Sequence, residues 1–262
     1  MFMSARETSQ HSWPQEIQRL VGSALISDSS GYSGAVTWRI DGPVPRYLKI
    51  GPSGSLAQDA KGLQWFARGP FPLPRVLSYI TADQDYLLTS GIDGSPSFCP
   101  PWRDEPARLA TLLGQSLRQF HDFFDPCNCP LHYNTADMLT RVKCNHAAGR
   151  SDAGMLNYMG AAADTAYDEI IASISLLRDD AVLHGDWCLP NVLLSGWQVS
   201  GLLELGNAGR GDRHYDLHWG CWSLWYNLGS RQWAEAFLDG YGRDVIDPAR
   251  LRLAGLIAAM DE

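Results

Sequence analysis

The amino-acid sequence predicts an α+β protein with a strand-rich first part and a mainly helical second part. Two runs of β-branched and aromatic residues, at 35–40 and 46–50, are separated by an Asp-Gly-Pro turn signal. In the second part, apolar residues recur with the i, i+3, i+4 spacing of an amphipathic helix, at Leu109, Leu112, Leu113, Leu117 and Phe120. Glycine and proline residues interrupt the chain between 91 and 96, so we predict two lobes, residues 1–92 and 93–262.

The same patterns predict the individual elements of each lobe. In the first lobe, strands are expected at 35–40, 46–50, 72–77 and 85–89, and a helix within 55–67. In the second lobe, helices are expected at 109–123, 167–177, 233–241 and 248–260, with short strands between 180 and 205. The first lobe should therefore contain a small sheet, and the second should be built mainly from helices.

Composition narrows the range of functions. The chain has 262 residues, 45% of them hydrophobic and 11% aromatic, which is enough for a sizeable buried core. Its formal net charge of −8 argues against a nucleic-acid partner, because such proteins need a basic face to neutralise phosphates. The six cysteines show no C-x-x-C pair typical of a zinc site, and we interpret them as core residues. No apolar run is long enough to cross a bilayer and the first residues lack a signal-peptide core, so we expect no membrane partner and a cytoplasmic location.

The segment at 184–191, HGDWCLPN, carries the pattern that indicates chemistry. Asp186 precedes Asn191 by five residues in a segment expected to be a loop between strands. In phosphoryl transfer, such a carboxylate orients the attacking hydroxyl and accepts its proton, while the amide oxygen of the asparagine holds Mg²⁺. A turn in which Asp and Asn merely cap the backbone would give the same residues, so this pattern leaves both interpretations open.

The H-G-D-x-x-x-x-N segment resembles the aminoglycoside phosphotransferase family, in the form common in its 3′-phosphotransferase branch. A second family segment, I-D-x-G-x-x-G-x-x-D-R-x-x-D, is similar to residues 203–216, with both glycines and the D-R-x-x-D in place. The resemblance implies a two-lobed protein-kinase-like fold, with a small antiparallel β-sheet N-lobe and a mainly helical C-lobe. It also implies that Glu204 stands where the family has its second metal-binding Asp, one methylene longer than Mg²⁺ coordination there normally uses.

The resemblance extends upstream into the first lobe. Lys49 matches the strand lysine that holds nucleotide phosphates, and Asp59 falls near the helix glutamate that positions it. The loop at 31–35 resembles the family's phosphate-covering loop and implies that Ser33 approaches the β-phosphate. The linker that would face the adenine edge corresponds to Thr89, Ser90 and Ile92. His121, in a segment similar to the family's L-R-x-L-H, is interpreted as structural.

The acceptor-binding positions match the family less well. Its acidic loop corresponds to the neutral residues 157–160, and its C-terminal Asp-Glu pair aligns with Ala258-Ala259. Asp261 and Glu262 lie one helical turn later and would substitute only if the last helix shifts. An arginine of the family corresponds to Trp222, in a stripe with Trp219 and Trp225 that indicates either core packing or a platform for a planar substrate.

Three hypotheses follow. The first is an aminoglycoside O-phosphotransferase that uses Mg²⁺ and either ATP or GTP, acts on a cationic aminoglycoside and confers antibiotic resistance. The second keeps the fold and mechanism but changes the acceptor to another antibiotic or a small metabolite. The third is a catalytically impaired relative that still binds nucleotide, motivated by Glu204 and Asp59.

Overall fold

The computed structural model describes residues 13–29, 35–131 and 133–261. The chain divides into two compact units, Met1–Asp93 and Gly94–Glu262. A β-sheet with two helices makes up the described part of the first unit, and helices predominate in the second, so the predicted α+β class is confirmed.

The first unit is built on an antiparallel sheet. Its strands are β1 (Ile26–Asp28), β2 (Val36–Ile40), β3 (Arg46–Pro52), β4 (Val76–Thr81) and β5 (Gln84–Ser90), in the order β1-β2-β3-β5-β4. Helix α1 (Gln15–Val21) precedes the sheet, and α2 (Ala57–Phe66) connects β3 to β4. Alternation along β2 buries Trp38 and Ile40, which pack with Ile17 and Val21 of α1. This core holds the central strands β3 and β5, which carry the predicted phosphate-binding and linker residues.

The strand predicted at 72–77 is displaced in the structure. Strand β4 begins at Val76 and continues to Thr81. Pro72 and Pro74 lie in the segment before it, where a residue without a backbone N–H does not interrupt the ladder with β5. Periodicity alone therefore placed the strand too early, because the prolines end the preceding turn and do not belong to the strand.

The second unit is mainly helical. Its helices are α3 (Pro106–Phe123), α4 (Thr135–Ala147), α5 (Ala153–Met159), α6 (Ala163–Ser173), α7 (His214–Leu228), α8 (Gln232–Tyr241) and α9 (Pro248–Asp261). Its short strands are β6 (Ser95–Pro96), β7 (Ala181–Leu183), β8 (Val192–Ser195), β9 (Gln198–Leu202) and β10 (Gly209–Gly211). They form a β6-β8-β9 sheet and a separate β7–β10 pair. The helix predicted at 167–177 begins earlier, at Ala163, and its last turn is the 3₁₀ turn Ile174–Leu176.

Helix α9 forms the centre of one hydrophobic core. Its residues from Leu253 to Met260 are buried, and side chains of α4, α5, α6 and α7 pack around them. Because α9 is buried on every face, it shows little amphipathic pattern in the sequence. In the described ranges of the chain, no helix has both the length and the apolar character that crossing a bilayer would require.

Helices α3 and α8 lie in close contact. A Cβ atom at Gly114 of α3 would collide with the Phe237 carbonyl oxygen and the Tyr241 amide nitrogen of α8. A Cβ atom at Gly240 of α8 would likewise collide with the backbone of Thr111. Glycines at these two positions therefore let the backbones of α3 and α8 approach each other closely.

Candidate active site

The loop between β7 and β8 carries Asp186 and Asn191. The Asn191 side-chain amide donates to Asp186 Oδ2 at 2.7 Å and to the Asp186 carbonyl oxygen at 3.1 Å. Asp186 remains partly exposed, whereas Asn191 is buried in the 3₁₀ turn Leu189–Asn191. Since the amide nitrogen of Asn191 makes both contacts, its amide oxygen is not used by Asp186. The structure thus brings together the acid and the amide that the sequence singled out.

Two residues fix the start of this loop. Gly185 has a φ of 86°, and a Cβ atom there would collide with the carbonyl group of Asn207. Asp216, near the start of α7, accepts from the backbone N–H of His184 at 2.7 Å and of Gly185 at 2.8 Å. The Asp216 side chain is fully buried. The loop is therefore anchored immediately before Asp186.

Glu204 lies at the end of the β8–β9 hairpin. Val192 pairs with Leu202, and the next backbone bond runs from Leu203 N–H to the Asn191 carbonyl oxygen at 2.9 Å. Asn191 and Glu204 therefore come from the same end of one hairpin. Glu204 has φ 59° and ψ 60°, and within the described ranges it is the one non-glycine residue with a positive φ.

The donor set at this hairpin end fits a magnesium ion. Mg²⁺ prefers oxygen ligands and is commonly held by one or two protein groups, with phosphate oxygens and water completing an octahedron. Asn191 and Glu204 supply an amide and a carboxylate oxygen. Over the residues that the structure describes, no group of three or more His, Cys, Asp or Glu side chains could hold a metal ion. A site here would thus depend on oxygen atoms from a bound nucleotide.

In the first unit, Lys49 and Asp59 form an ion pair. Lys49 Nζ lies 2.8 Å from Asp59 Oδ2, and their side chains are 17% and 7% exposed. Lys49 is on the central strand β3, and Asp59 is in the first turn of α2. The carboxylate of Asp59 holds the ammonium group of Lys49 in a defined direction. Ser33, the other predicted phosphate contact, lies outside the described residues.

The predicted linker residues lie at the end of β5. The Ser90 N–H donates to the Arg75 carbonyl oxygen at 2.9 Å, and its hydroxyl accepts from the Arg75 N–H at 2.9 Å. The Thr89 hydroxyl contacts the Tyr47 carbonyl oxygen at 3.5 Å. Ile92 follows the strand and is partly buried. The polar groups of Ser90 are thus engaged inside the sheet.

Asp261 already has partners at the end of α9. Its carboxylate accepts from Arg141 Nε at 2.6 Å and Nη2 at 2.9 Å, and from the Tyr133 hydroxyl at 2.9 Å. The Asp261 side chain is 3% exposed. It would have to exchange Arg141 for a substrate ammonium group in order to bind a cationic acceptor. Glu262 lies outside the described residues.

Trp222 belongs to an aromatic row on α7. It stacks on Tyr226 with ring centroids 4.9 Å apart and meets Trp219 edge-on at 5.5 Å. Tyr226 is 66% exposed, so one end of the row faces solvent. The neighbouring Ser223 hydroxyl accepts from the Leu189 N–H at 2.9 Å, which attaches this helix to the loop of Asp186. The aromatic row therefore lies next to the residue of α7 that contacts the loop of Asp186.

Two residues that the sequence left without a role help to build this region. In the D-R-x-x-D segment, Asp212 lies two residues before α7 and Asp216 lies in its first turn, and both acids are buried. Burial would raise the pKa of Asp212, but hydrogen bonds from His214 and the Arg178 backbone outweigh it and lower the pKa. Asp212 also binds Arg250, at 2.7 Å. The match to the D-R-x-x-D of the family segment was the available signal.

Comparisons with known proteins identify a family and similar folds. The model of the phosphotransferase enzyme family matches residues 25–254. A probable aminoglycoside 3′-phosphotransferase of Lactococcus lactis is 36% identical over 246 residues, covering 93% of each chain. The crystal structure of an aminoglycoside-3′-phosphotransferase of type VIII has a TM-score of 0.80 and 25% identity, covering 94% of this chain and 97% of its own.

A further structure shows similarity in fold. An aminoglycoside phosphotransferase of Streptomyces rimosus, solved with ADP and streptomycin, has a TM-score of 0.78 and 22% identity, covering 94% of this chain and 96% of its own. Together these matches confirm both the resemblance and the kinase-like fold that the motifs implied.

Proposed function

The chain belongs to the phosphotransferase enzyme family, and we propose that it transfers the γ-phosphoryl group of ATP or GTP to a hydroxyl group of an aminoglycoside. The observation that carries this proposal is the contact of Asn191 with Asp186, at the hairpin end that also carries Glu204. The name of the Lactococcus lactis relative and the ADP and streptomycin bound to the Streptomyces rimosus enzyme support the donor and acceptor classes. We propose the cytoplasm as the location, because the donor is a nucleoside triphosphate.

Asp186 is the catalytic residue of this proposal. Its carboxylate orients the acceptor hydroxyl and takes its proton as the phosphoryl group transfers. The amide of Asn191 holds that carboxylate from one side, so the side chain needs little reorganisation during the reaction. Asn191 and Glu204 would hold Mg²⁺, which neutralises charge on the phosphate oxygens when bound.

The first unit supplies the nucleotide contacts of this proposal. Lys49, directed by Asp59, holds phosphate oxygens, and Ser33, which precedes β2 in the sequence, takes the same role. The adenine or guanine edge pairs with the linker formed by Thr89, Ser90 and Ile92. Since the Ser90 N–H and hydroxyl are engaged with Arg75, we assign base recognition to other backbone groups of this linker.

A second candidate function changes the acceptor only. The pairing of Asp261 with Arg141 and the partly exposed Trp222–Tyr226 stack favour an acceptor with a planar or apolar part, such as another antibiotic or a small metabolite. The aminoglycoside acceptor instead requires carboxylates, from Asp261 or Glu262, to contact its ammonium groups. An acceptor screen that includes both chemical classes separates the two.

The test is nucleotide turnover with Mg²⁺ over a panel of aminoglycosides, for the wild type and Asp186→Ala. Removing the base should lower kcat by roughly 10²- to 10⁴-fold. Asp164→Ala is the matched control, because Asp164 is an exposed carboxylate in α6 of the same unit. Expression in a sensitive bacterium should also raise resistance to the acceptor antibiotic. Nucleotide binding without turnover on any acceptor would instead identify a catalytically impaired relative.

A further inference from the structure

A chain of buried hydrogen bonds ends on the loop that carries Asp186. The Tyr241 hydroxyl of α8 lies 2.8 Å from His121 Nδ1 of α3, and His121 Nε2 lies 3.0 Å from Asp216 Oδ2. The side chains of His121 and Asp216 are completely buried. The two Asp216 oxygens in turn accept the backbone N–H groups of residues 184 and 185. Helices α3, α7 and α8 are therefore connected to the loop through the carboxylate of Asp216.

The direction of each bond follows from the chemistry of the groups. A carboxylate only accepts, so His121 Nε2 must carry the proton that faces Asp216. When Nδ1 carries no proton, it accepts, and the Tyr241 hydroxyl donates to it. Burial raises the pKa of the Tyr241 phenol, which keeps its proton on the oxygen. Arg213 Nη1 lies 3.5 Å from the same oxygen and can only donate to it. With Nδ1 unprotonated, the donors run in one direction, from Arg213 through Tyr241 and His121 to Asp216.

We infer that His121 and Tyr241 are positioning residues, which hold Asp186 in its productive orientation by fixing Asp216. This inference rests on the proposed function, because it assigns the residues that place its catalytic carboxylate. Neither His121 nor Tyr241 touches Asp186; both act through the loop backbone. The inference gives His121 a role in positioning Asp186, in addition to the structural role predicted from the sequence.

The fold supports a role in positioning. Close packing at Gly114 and Gly240 sets the distance between α3 and α8, so His121 and Tyr241 have little freedom to move apart. Asp216 accepts hydrogen bonds from the N–H groups of the two residues that precede Asp186. The Asp186 N–H in turn contacts His184 Nδ1 at 3.3 Å. A small rotation of Asp216 would therefore shift the backbone from which the Asp186 side chain extends.

Two substitutions of His121 separate the bond to Asp216 from simple loss of the ring. A glutamine amide nitrogen lies the same number of bonds from Cα as His Nε2, so His121→Gln can still donate to Asp216. An asparagine amide nitrogen corresponds to His Nδ1, so His121→Asn reaches toward Tyr241 but not Asp216. Tyr241→Phe removes only the hydroxyl that donates to the ring. Ile170→Val, a buried one-methylene deletion in α6, controls for destabilisation alone.

The expected result is a loss in kcat with both KM values retained. His121→Asn should lower kcat on the order of tenfold to a hundredfold, because misplacement of a reacting group costs rate and leaves ground-state binding. His121→Gln should recover most of that loss. Tyr241→Phe should fall between the wild type and His121→Asn, and Ile170→Val should match the wild type. Equal kcat values for the Gln and Asn variants, or a rise in KM alone, would overturn the inference.

A second readout needs no turnover. Amide hydrogen exchange of residues 184 and 185, measured by NMR without substrate, should be faster in His121→Asn than in His121→Gln or Ile170→Val. Unchanged exchange at these two amides would also overturn the inference. If the wild type transfers no phosphoryl group but the exchange result holds, the proposed function fails while the coupling of His121 to the loop stands.

Discussion

The backbone N–H of Leu203 donates to the carbonyl oxygen of Asn191 at 2.9 Å. This bond extends the β8–β9 pairing by one residue, because Val192 already pairs with Leu202. The two proposed Mg²⁺ ligands, Asn191 and Glu204, are therefore held by the register of one hairpin. A metal that demands near-ideal octahedral geometry benefits from ligands attached to paired backbone.

Glu204 should be under backbone strain. Its left-handed conformation costs a residue with a Cβ atom about 1–2 kcal/mol, whereas glycine adopts it readily. Glu204→Gly and Glu204→Ala both remove the carboxylate, so the difference in their free energies of unfolding measures the cost of the backbone conformation alone. We expect the Gly variant to be more stable than the Ala variant by about 1 kcal/mol in denaturant unfolding. Equal stabilities would show that the strain is absent.

The same position tests the metal assignment. Glu204→Gly and Glu204→Ala should both lose Mg²⁺-dependent turnover, because no carboxylate remains to bind the ion. Glu204→Asp, which restores the residue of the resembled motif, should retain it, since aspartate tolerates the left-handed region better than most residues. Turnover titrated against Mg²⁺ is the measurement. Full activity in the Gly variant would exclude Glu204 as a ligand.

Gly185 and Gly196 form a matched pair for the loop geometry. Both have positive φ values, 86° and 57°, but a Cβ atom would collide with Asn207 at Gly185 and meet nothing within 4 Å at Gly196. Gly196→Ala should therefore cost about 1 kcal/mol of unfolding free energy from backbone strain alone. Gly185→Ala should cost roughly 2 kcal/mol more and lower kcat, because the loop or Asn207 must move. Equal midpoints in the thermal unfolding of the two variants would contradict this predicted difference in stability.

Much of the fold was predictable, because its elements carry local signals. Helix α3 and strand β2 each bury one face, so the periodicity of their apolar residues identifies them. The acid and amide of the catalytic loop were predictable for a different reason. Asp186 and Asn191 are five residues apart, and one short loop brings them into contact.

The remaining features depend on contacts between distant segments. Arg141 and Asp261 are 120 residues apart, and their pairing appears only when α4 packs on α9. His121 and Asp216 are 95 residues apart, and they meet in the interior only because α3 packs on α7. No local pattern encodes such pairs. A motif therefore identified Asp216 by its spacing, but could not show which backbone groups it binds.

The Lys49–Asp59 pair should act on nucleotide binding. Asp59→Asn keeps the shape of the side chain but removes the charge that faces Lys49 Nζ at 2.8 Å. We expect KM for the nucleotide to rise by about tenfold, because charge-assisted bonds orient the lysine more strongly than neutral ones. KM for the acceptor should not change. Asp83→Asn, at an exposed carboxylate of the same unit, is the control. An effect on acceptor KM alone would contradict the assignment.

The Asp261 carboxylate should stabilise the end of α9. Asp261→Ala leaves the Arg141 guanidinium and the Tyr133 hydroxyl without this acceptor, which should cost about 2 kcal/mol of unfolding free energy. Arg141→Lys should cost less, because lysine keeps the positive charge that faces Asp261. Some cost remains, because a lysine cannot make both of the hydrogen bonds that Arg141 makes. Unfolding and acceptor KM should be measured on the same samples. A higher acceptor KM with unchanged stability would indicate a substrate contact in place of the structural one.

His218 should make the protein sensitive to mild acid. It is buried in α7, and that burial lowers its pKa from 6.5 to about 3. Below pH 6.5 the unfolded chain therefore binds a proton that the folded chain does not, so stability falls as pH falls. The slope should approach about 1.4 kcal/mol per pH unit between pH 6 and pH 4. The contribution is fully present above pH 6.5, where both states leave the ring neutral.

Replacing His218 by leucine should flatten this part of the stability profile. Among the residues that the structure describes, the ring nitrogen Nε2 has no hydrogen-bond partner, so little is lost when it is removed. Tyr158, whose ring lies 6.0 Å away, has a pKa raised by burial to about 12 and does not titrate in this window. Asp212 has a pKa lowered from 3.8, so its contribution is lost only at lower pH. Urea unfolding of the wild type and His218→Leu from pH 7.5 to pH 4.5 should show the difference. Parallel profiles would assign the acid sensitivity to other groups.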